Sequence, residues 1–218
     1  MSQIILDFQD RPKLGWSDFE IGPANQTAIE WLIKWPNWPK NGLAIHGDAG
    51  CGKTHLGNLW MRMVGAKQVT KKNILNVVEQ YDGRHFLIDG ADVLQNAESS
   101  AFHLINIVKE QAGSVLILDR KSPFLWKICL QDLSSRLLSL NSVHIRPPDE
   151  TLLTTILVTQ LKSRGIVPEP KSCKYAIERL PRTFDAILDF VKKIDIASLQ
   201  EKRSINFCLM RAVLDNKP

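Results

Sequence analysis

Long apolar stretches are missing from these 218 residues, and none approaches the roughly 18 residues that a membrane-spanning helix needs. The opening MSQIILDFQDRP carries acids early and no basic start, so it does not read as a secretory signal. Cysteine is scarce. Cys51, Cys129, Cys173 and Cys208 stand far apart, without the paired spacing of a zinc site, and read as reduced thiols of a cytoplasmic protein. Charge of one sign never accumulates. The balance is +5, but basic residues occur only in short pairs such as Lys71–Lys72 and Lys192–Lys193, the pattern of a solvated surface. The five histidines, His46, His55, His85, His103 and His144, show no spacing that fits a metal cluster or an activated nucleophile. Low-complexity tracts and internal repeats are absent as well. With 44% apolar and 23% charged residues, a folded chain with a sizeable core remains.

What is present is an alternation. Leu43–His46 (LAIH), Phe86–Asp89 (FLID), Val115–Leu118 (VLIL) and Val143–Ile145 (VHI) read as strands buried on both faces. Helical stretches such as Thr54–Val64 and Glu98–Gln111 separate them, which is the pattern of a parallel sheet covered by helices. After Arg146–Glu150 the strands stop. Leu152, Leu153, Ile156, Leu157 and Leu161 share one helical face, and so do Phe184, Ile187, Leu188, Val191 and Ile194. Asp149 stands where a helix N-cap belongs. The expected organisation is an N-terminal segment over 1–15, an α/β nucleotide-binding domain over 16–147 and a helical domain over 148–218.

The loop after the first strand carries the chemistry. Gly47, Asp48, Ala49, Gly50, Cys51, Gly52, Lys53 and Thr54 have the G-x-x-x-x-G-K-[ST] spacing, and His55 follows. Glycines let backbone N–H groups wrap a phosphate chain; Lys53 would reach the outer phosphates and the Thr54 hydroxyl a Mg²⁺ ion. A strand precedes the loop and a helix follows, so the chain is expected to bind a nucleoside triphosphate or diphosphate, ATP or ADP. Asp89, at the tip of a neighbouring strand, suits the acid that holds the same Mg²⁺.

Taken together, these segments resemble the DnaA-related branch of the AAA+ proteins, most closely the short DnaA homologues of the regulatory-inactivator type (Hda). Asp18–Leu32 looks like that family's segment against the nucleotide base, which gives Ile21 and Gly22 a binding role. Trp126–Leu140 is similar to the segment carrying the arginine finger, and Arg136 matches the finger itself. Arg182 is the nearest basic residue to the lid's sensor position. The resemblance implies a P-loop core with a five-stranded parallel sheet, followed by a small all-helical lid. It also implies a finger that acts on the nucleotide of a neighbouring subunit. DnaA continues into a helix-turn-helix domain that reads DNA, and no such segment follows the lid-like part here. That points to a partner of DnaA rather than an initiator. Gln3, Leu6 and Phe8 resemble the short peptide by which replication proteins dock on the sliding clamp. The implied partners are therefore DnaA, the clamp and, as a further option, copies of the chain itself. No membrane is implied.

The pattern also departs from the family. Gly90 stands where a second acid usually orients the attacking water, and Leu118 where a polar residue usually ends the strand. Each such loss typically costs two to four powers of ten in rate, so the resemblance implies an ATPase fold with little turnover of its own. An acid placed at 90 is expected to raise that turnover if the geometry is otherwise intact. The implied function is negative regulation of replication initiation by promoting hydrolysis of DnaA-bound ATP. The alternative is an independent AAA+ ATPase such as a helicase loader, which would need a basic or aromatic groove for single strands.

Overall fold

The computed structural model describes residues 21–79, 84–201 and 206–215. Gln3, Leu6 and Phe8 lie outside them. The first described helix, α1 (Gln26–Ile33), leads through a 3-10 turn into β1 (Gly42–Gly47) and α2 (Lys53–Val64). There follow β2 (Lys67–Val69), α3 (Ile74–Glu79), β3 (His85–Asp89), α4 (Asp92–Gln95), α5 (Glu98–Glu110) and β4 (Ser114–Asp119). A second 3-10 turn, Pro123–Leu125, precedes α6 (Gln131–Leu138) and β5 (Asn141–Ile145). From there the described elements are all helical: α7 (Glu150–Lys162), α8 (Pro170–Ile177), α9 (Phe184–Glu201) and α10 (Phe207–Asp215).

The five strands form one parallel sheet in the order β2-β3-β4-β1-β5. Four of them are the apolar runs read from the sequence. Alternation splits each strand between two cores. Ala44, Phe86, Ile88, Val115 and Ile117 face α5 and α6, with Leu104, Leu133 and Leu137. Leu43, Ile45, Leu87, Leu116 and Leu118 face α1 and α2, with Leu56 and Trp60. Burying apolar side chains on both faces is what an α/β sheet with crossover helices requires.

A third cluster gathers Leu153, Leu157, Leu161, Ile187, Val191 and Ile194, with Ala24 from ahead of α1. The stripes expected in α7 and α9 are thus packed against each other, except Leu188, which stands outside this cluster and lines the cavity beside the phosphate loop. The α7 amide of Leu152 donates to the Asp149 carboxylate at 2.7 Å, an N-cap bond as expected. Among the described residues, no helix is long and apolar enough to cross a membrane.

Candidate functional site

The phosphate loop joins the end of β1 to the first turn of α2, at the carboxyl edge of the sheet. Gly50 (φ +71°) and Gly52 (φ +92°) are left-handed, a conformation that glycine adopts without strain. The Lys53 side chain is buried, and its ammonium donates to the carbonyls of Gly47 and Asp48, both at 2.8 Å. It also lies 3.5 Å from the Cys51 sulfur, which points into the core. Two of its three protons are therefore held by the loop's own backbone. Asp48 and Ala49 are exposed at the loop's tip. No acid stands in the first turn of α2, so the free N–H groups there keep their attraction for an anion.

Strand β4 stands between β1 and β3, yet the two metal-site residues read from the sequence meet across it. The Thr54 hydroxyl donates to an Asp89 carboxylate oxygen at 2.9 Å. A hydroxyl and a carboxylate at that separation are a hard-oxygen pair. They suit Mg²⁺, which takes one or two protein oxygens and fills its shell with water and phosphate. No group of three or more His, Cys, Asp or Glu among the described residues could hold a metal, so the pair would act with ligand oxygens.

Facing the loop is a wall made by the C-terminal helices. A cavity of about 210 Å³ is lined by Gly50, Gly52, Lys53, Thr54 and His55 on one side. Opposite are Ile156 and Gln160 of α7 and Phe184, Asp185 and Leu188 of α9. The Phe184 amide donates to the Gly50 carbonyl at 2.9 Å, which fastens the start of α9 to the loop. A Cβ on Gly50 would come 2.8 Å from Thr183 Cβ, and one on Gly52 3.2 Å from the Phe184 ring. The loop glycines are thus needed for their dihedrals and again for this approach.

Other expected residues stand further off. Arg182 does not line the cavity; its side chain is 71% exposed and its guanidinium lies 3.8 Å from Glu150. Ile21 and Gly22 are also outside the cavity lining. The Gly22 N–H donates to the Asn25 side chain at 2.9 Å, and a Cβ there would meet Leu152 of α7 at 2.9 Å. Arg136, partly buried on α6, lays its guanidinium over the Phe102 ring of α5, 4.8 Å from its centroid.

Two features escaped the sequence. β4 runs one residue beyond the apolar run and ends on Asp119, while Leu118 is a core residue against α2. The Asp119 carboxylate accepts the amides of Ala91 and Lys121, both at 2.7 Å, and so braces the turn after Asp89. Register also places His46 of β1 opposite Asp119 and His144, and the two imidazoles stack with centroids 5.0 Å apart. Burial pulls the His46 pKa below its usual value; His144 and Lys53 add to that and Asp119 opposes it.

Gly90 has φ +109°, and a Cβ there would lie within van der Waals overlap of the Asp92 carboxylate. An acid at 90, the expected route to more turnover, would be strained by this backbone.

No protein-family model matches the chain. The chain is similar in structure to the solved domain III of the Thermotoga maritima replication initiation protein DnaA over 95% of its own length and 99% of that chain. The TM-score is 0.81 at 20% identity. The fold is that of the AAA+ P-loop ATPases. The Aquifex aeolicus DnaA bound to AMPPCP is similar over 87% of this chain and 67% of its own, with TM-score 0.70 and 18% identity. The Thermotoga maritima RuvB branch-migration motor shares the AAA+ fold at TM-score 0.66 and 13% identity, over 89% of this chain and 69% of its own. In sequence, the chain is 24% identical over 211 residues to the chromosomal replication initiator protein DnaA of Nautilia profundicola. That alignment takes in 86% of this chain and 48% of the initiator, so the chain spans about half the length of that relative. A Haemophilus influenzae protein described as uncharacterized is 25% identical over 78% of this chain and 80% of its own.

Proposed function

We propose that the chain is a DnaA-related, nucleotide-binding regulator of chromosome replication initiation, of the regulatory-inactivator type. The observation that carries this reading is an imbalance within one site. Residues suited to a magnesium nucleotide come together: the glycine loop, Lys53, and the Thr54–Asp89 pair at 2.9 Å. The group that would activate water is missing: position 90 is glycine, and its φ of +109° would strain a side chain placed there. Asp119, the polar residue that ends β4, is committed to the amides of Ala91 and Lys121. Bound ATP or ADP thus acts as a conformational ligand, and Thr54 and Asp89 are the residues that would hold Mg²⁺, which would neutralise phosphate charge.

The hydrolysis the chain influences takes place on DnaA, with Arg136 as the finger that completes the partner's site. A guanidinium stacked on Phe102 is partly desolvated and oriented, and among the described residues it carries no ion pair that would have to break first. Residues 1–15 hold the clamp peptide, with Gln3, Leu6 and Phe8 as its contacts. Residues 16–147 form the nucleotide core, and 148–218 the lid. Similarity to DnaA in sequence and fold supports the choice of partner.

The test is a pull-down with purified sliding clamp and ATP-loaded DnaA. Retention of both, with clamp retention abolished by Ala at positions 3, 6 and 8, is the expected outcome. A chain that captures neither protein would overturn the proposal.

A further inference from the structure

We propose that Gln160 selects the nucleobase: its carboxamide pairs with the 6-amino group and a neighbouring ring nitrogen of adenine, and so favours adenine over 6-oxopurine nucleotides. The inference rests on the nucleotide reading in the proposed function and adds the residue that reads the base.

The cavity has two ends of different chemistry. Lys53 and Thr54 stand at the phosphate-loop end. Asp185 belongs to that end too, since a Cβ on Gly50 would come 3.1 Å from its Oδ2. One turn further along α9 the lining residue is Leu188. Across from it, on α7, the lining residues are Ile156 and Gln160, four apart and so on one helical face. Ile156 and Gln160 are both partly buried. Two aliphatic side chains beside one carboxamide make a slot for a flat ring that is apolar on its faces and polar at its edge.

The orientation of Gln160 is set from outside the cavity. Arg164 donates from one guanidinium nitrogen to the Gln160 main-chain carbonyl at 2.7 Å and to its side-chain Oε1 at 3.1 Å. The Arg164 Nε lies 3.4 Å from an Asp195 carboxylate oxygen on α9, so the guanidinium is held between the two helices. A guanidinium only donates. The side-chain atom it meets is therefore the amide oxygen, and the NH₂ group is the one turned away. That oxygen keeps a second lone pair, so the carboxamide offers a donor beside an acceptor. Adenine matches this pair, with its N6 amino donor beside an acceptor ring nitrogen. A 6-oxopurine in the same place sets its own carbonyl against the Gln160 oxygen, and two acceptors repel.

The experiment measures, by calorimetry on the full chain, the affinities for ADP and for IDP, whose base carries a 6-oxo group in place of the amino group. The wild type is expected to bind ADP about tenfold more tightly than IDP, in line with the discrimination that a bidentate amide–adenine pair gives elsewhere. Gln160→Leu keeps a helix-forming side chain of similar length and removes both polar atoms, and it should bring the two affinities within about twofold. Equal binding of ADP and IDP by the wild type overturns the assignment, and the nucleotide reading stands. A wild-type ratio that survives in Gln160→Leu also overturns it, because a loss shared by both nucleotides is damage to the pocket rather than loss of base reading. If the wild type binds neither nucleotide, the nucleotide reading fails and the assignment with it. Should Gln160→Leu unfold, Arg164→Met decides. A narrowed ratio supports a carboxamide held in one orientation by Arg164, and an unchanged ratio overturns it.

Discussion

The two walls of the phosphate cavity are built on different principles. The core wall is polar and assembled for a ligand, with Lys53 and Thr54 on α2 and Asp89 beside Thr54. The C-terminal wall offers a phenylalanine, a leucine, an isoleucine, the Gln160 amide and one carboxylate, Asp185. Its nearest arginine, Arg182, faces solvent and Glu150 instead. One wall attracts phosphate, and the other limits how much negative charge the cavity accepts. On the proposed reading, a site built this way holds a nucleotide and reports its presence through the Phe184–Gly50 bond to α9, without the cationic clamp that cleavage needs.

The contrast can be broken most severely from the core side. Lys53→Ala removes the buried ammonium and should weaken ATP and ADP binding about tenfold or more by calorimetry. Unchanged affinity would show that the loop does not hold phosphate. Next is Gly90→Asp, which forces a side chain onto φ +109° and into the Asp92 carboxylate. A loss of roughly 1–3 kcal/mol in denaturant unfolding is expected, with no gain in ATP turnover. A variant that is stable and faster would return Gly90 to the role of a simple missing acid.

From the other wall the effect is smaller and opposite in sign. Asp185→Asn removes the cavity's carboxylate and keeps its shape, so triphosphate affinity should rise about threefold at low salt and less at high salt. Weaker binding would mean that the carboxylate helps to place the ligand.

The smallest effect concerns pH. His46 and His85 are both pulled below the ordinary imidazole value of 6.5, chiefly by burial. For His46, the stacked His144 and Lys53 add to the shift against Asp119, and for His85 Arg84 adds to it. The folded chain therefore binds fewer protons than the unfolded one between each folded pKa and 6.5. Stability is fully present above pH 6.5 and declines as pH falls through that value towards the folded pKa. Thermal midpoints at pH 7.5 and 5.5 should show the drop, and His46→Gln should make it shallower.

Much of the core wall was readable without coordinates, because its signals are local. The loop spacing lies within eight residues, and β1, β3, β4 and β5 are apolar runs whose character survives in one dimension. β2 was not readable: Lys67 and Gln68 are exposed and only Val69 is buried, on an edge strand that pairs with β3 alone. Its strand character comes from its neighbour rather than from its own residues. The apolar run of β4 concealed its true end, since alternation carries the strand to Asp119 on the face of Val115 and Ile117. The C-terminal wall was the least legible. That Phe184 sits on Gly52, or that His46 stacks on His144, is fixed by register and packing between segments far apart in sequence. The stripe of α9 predicted a buried face, but not that its first turn would close on the phosphate loop.

The central claim is that this chain holds a nucleotide without consuming it and drives hydrolysis on its partner. It is tested by placing the label on one protein only. DnaA is loaded with γ-labelled ATP and this chain with unlabelled ADP. Phosphate release is followed with clamp present, for the wild type and for Arg136→Ala. The expected result is rapid release with the wild type and near-complete loss of that acceleration with Arg136→Ala, since a finger contributes roughly three or more powers of ten elsewhere. The labels are then exchanged, and this chain's own ATP should stay largely intact over the same time. Equal acceleration by Arg136→Ala, or faster loss of the chain's own label than of DnaA's, would contradict the claim.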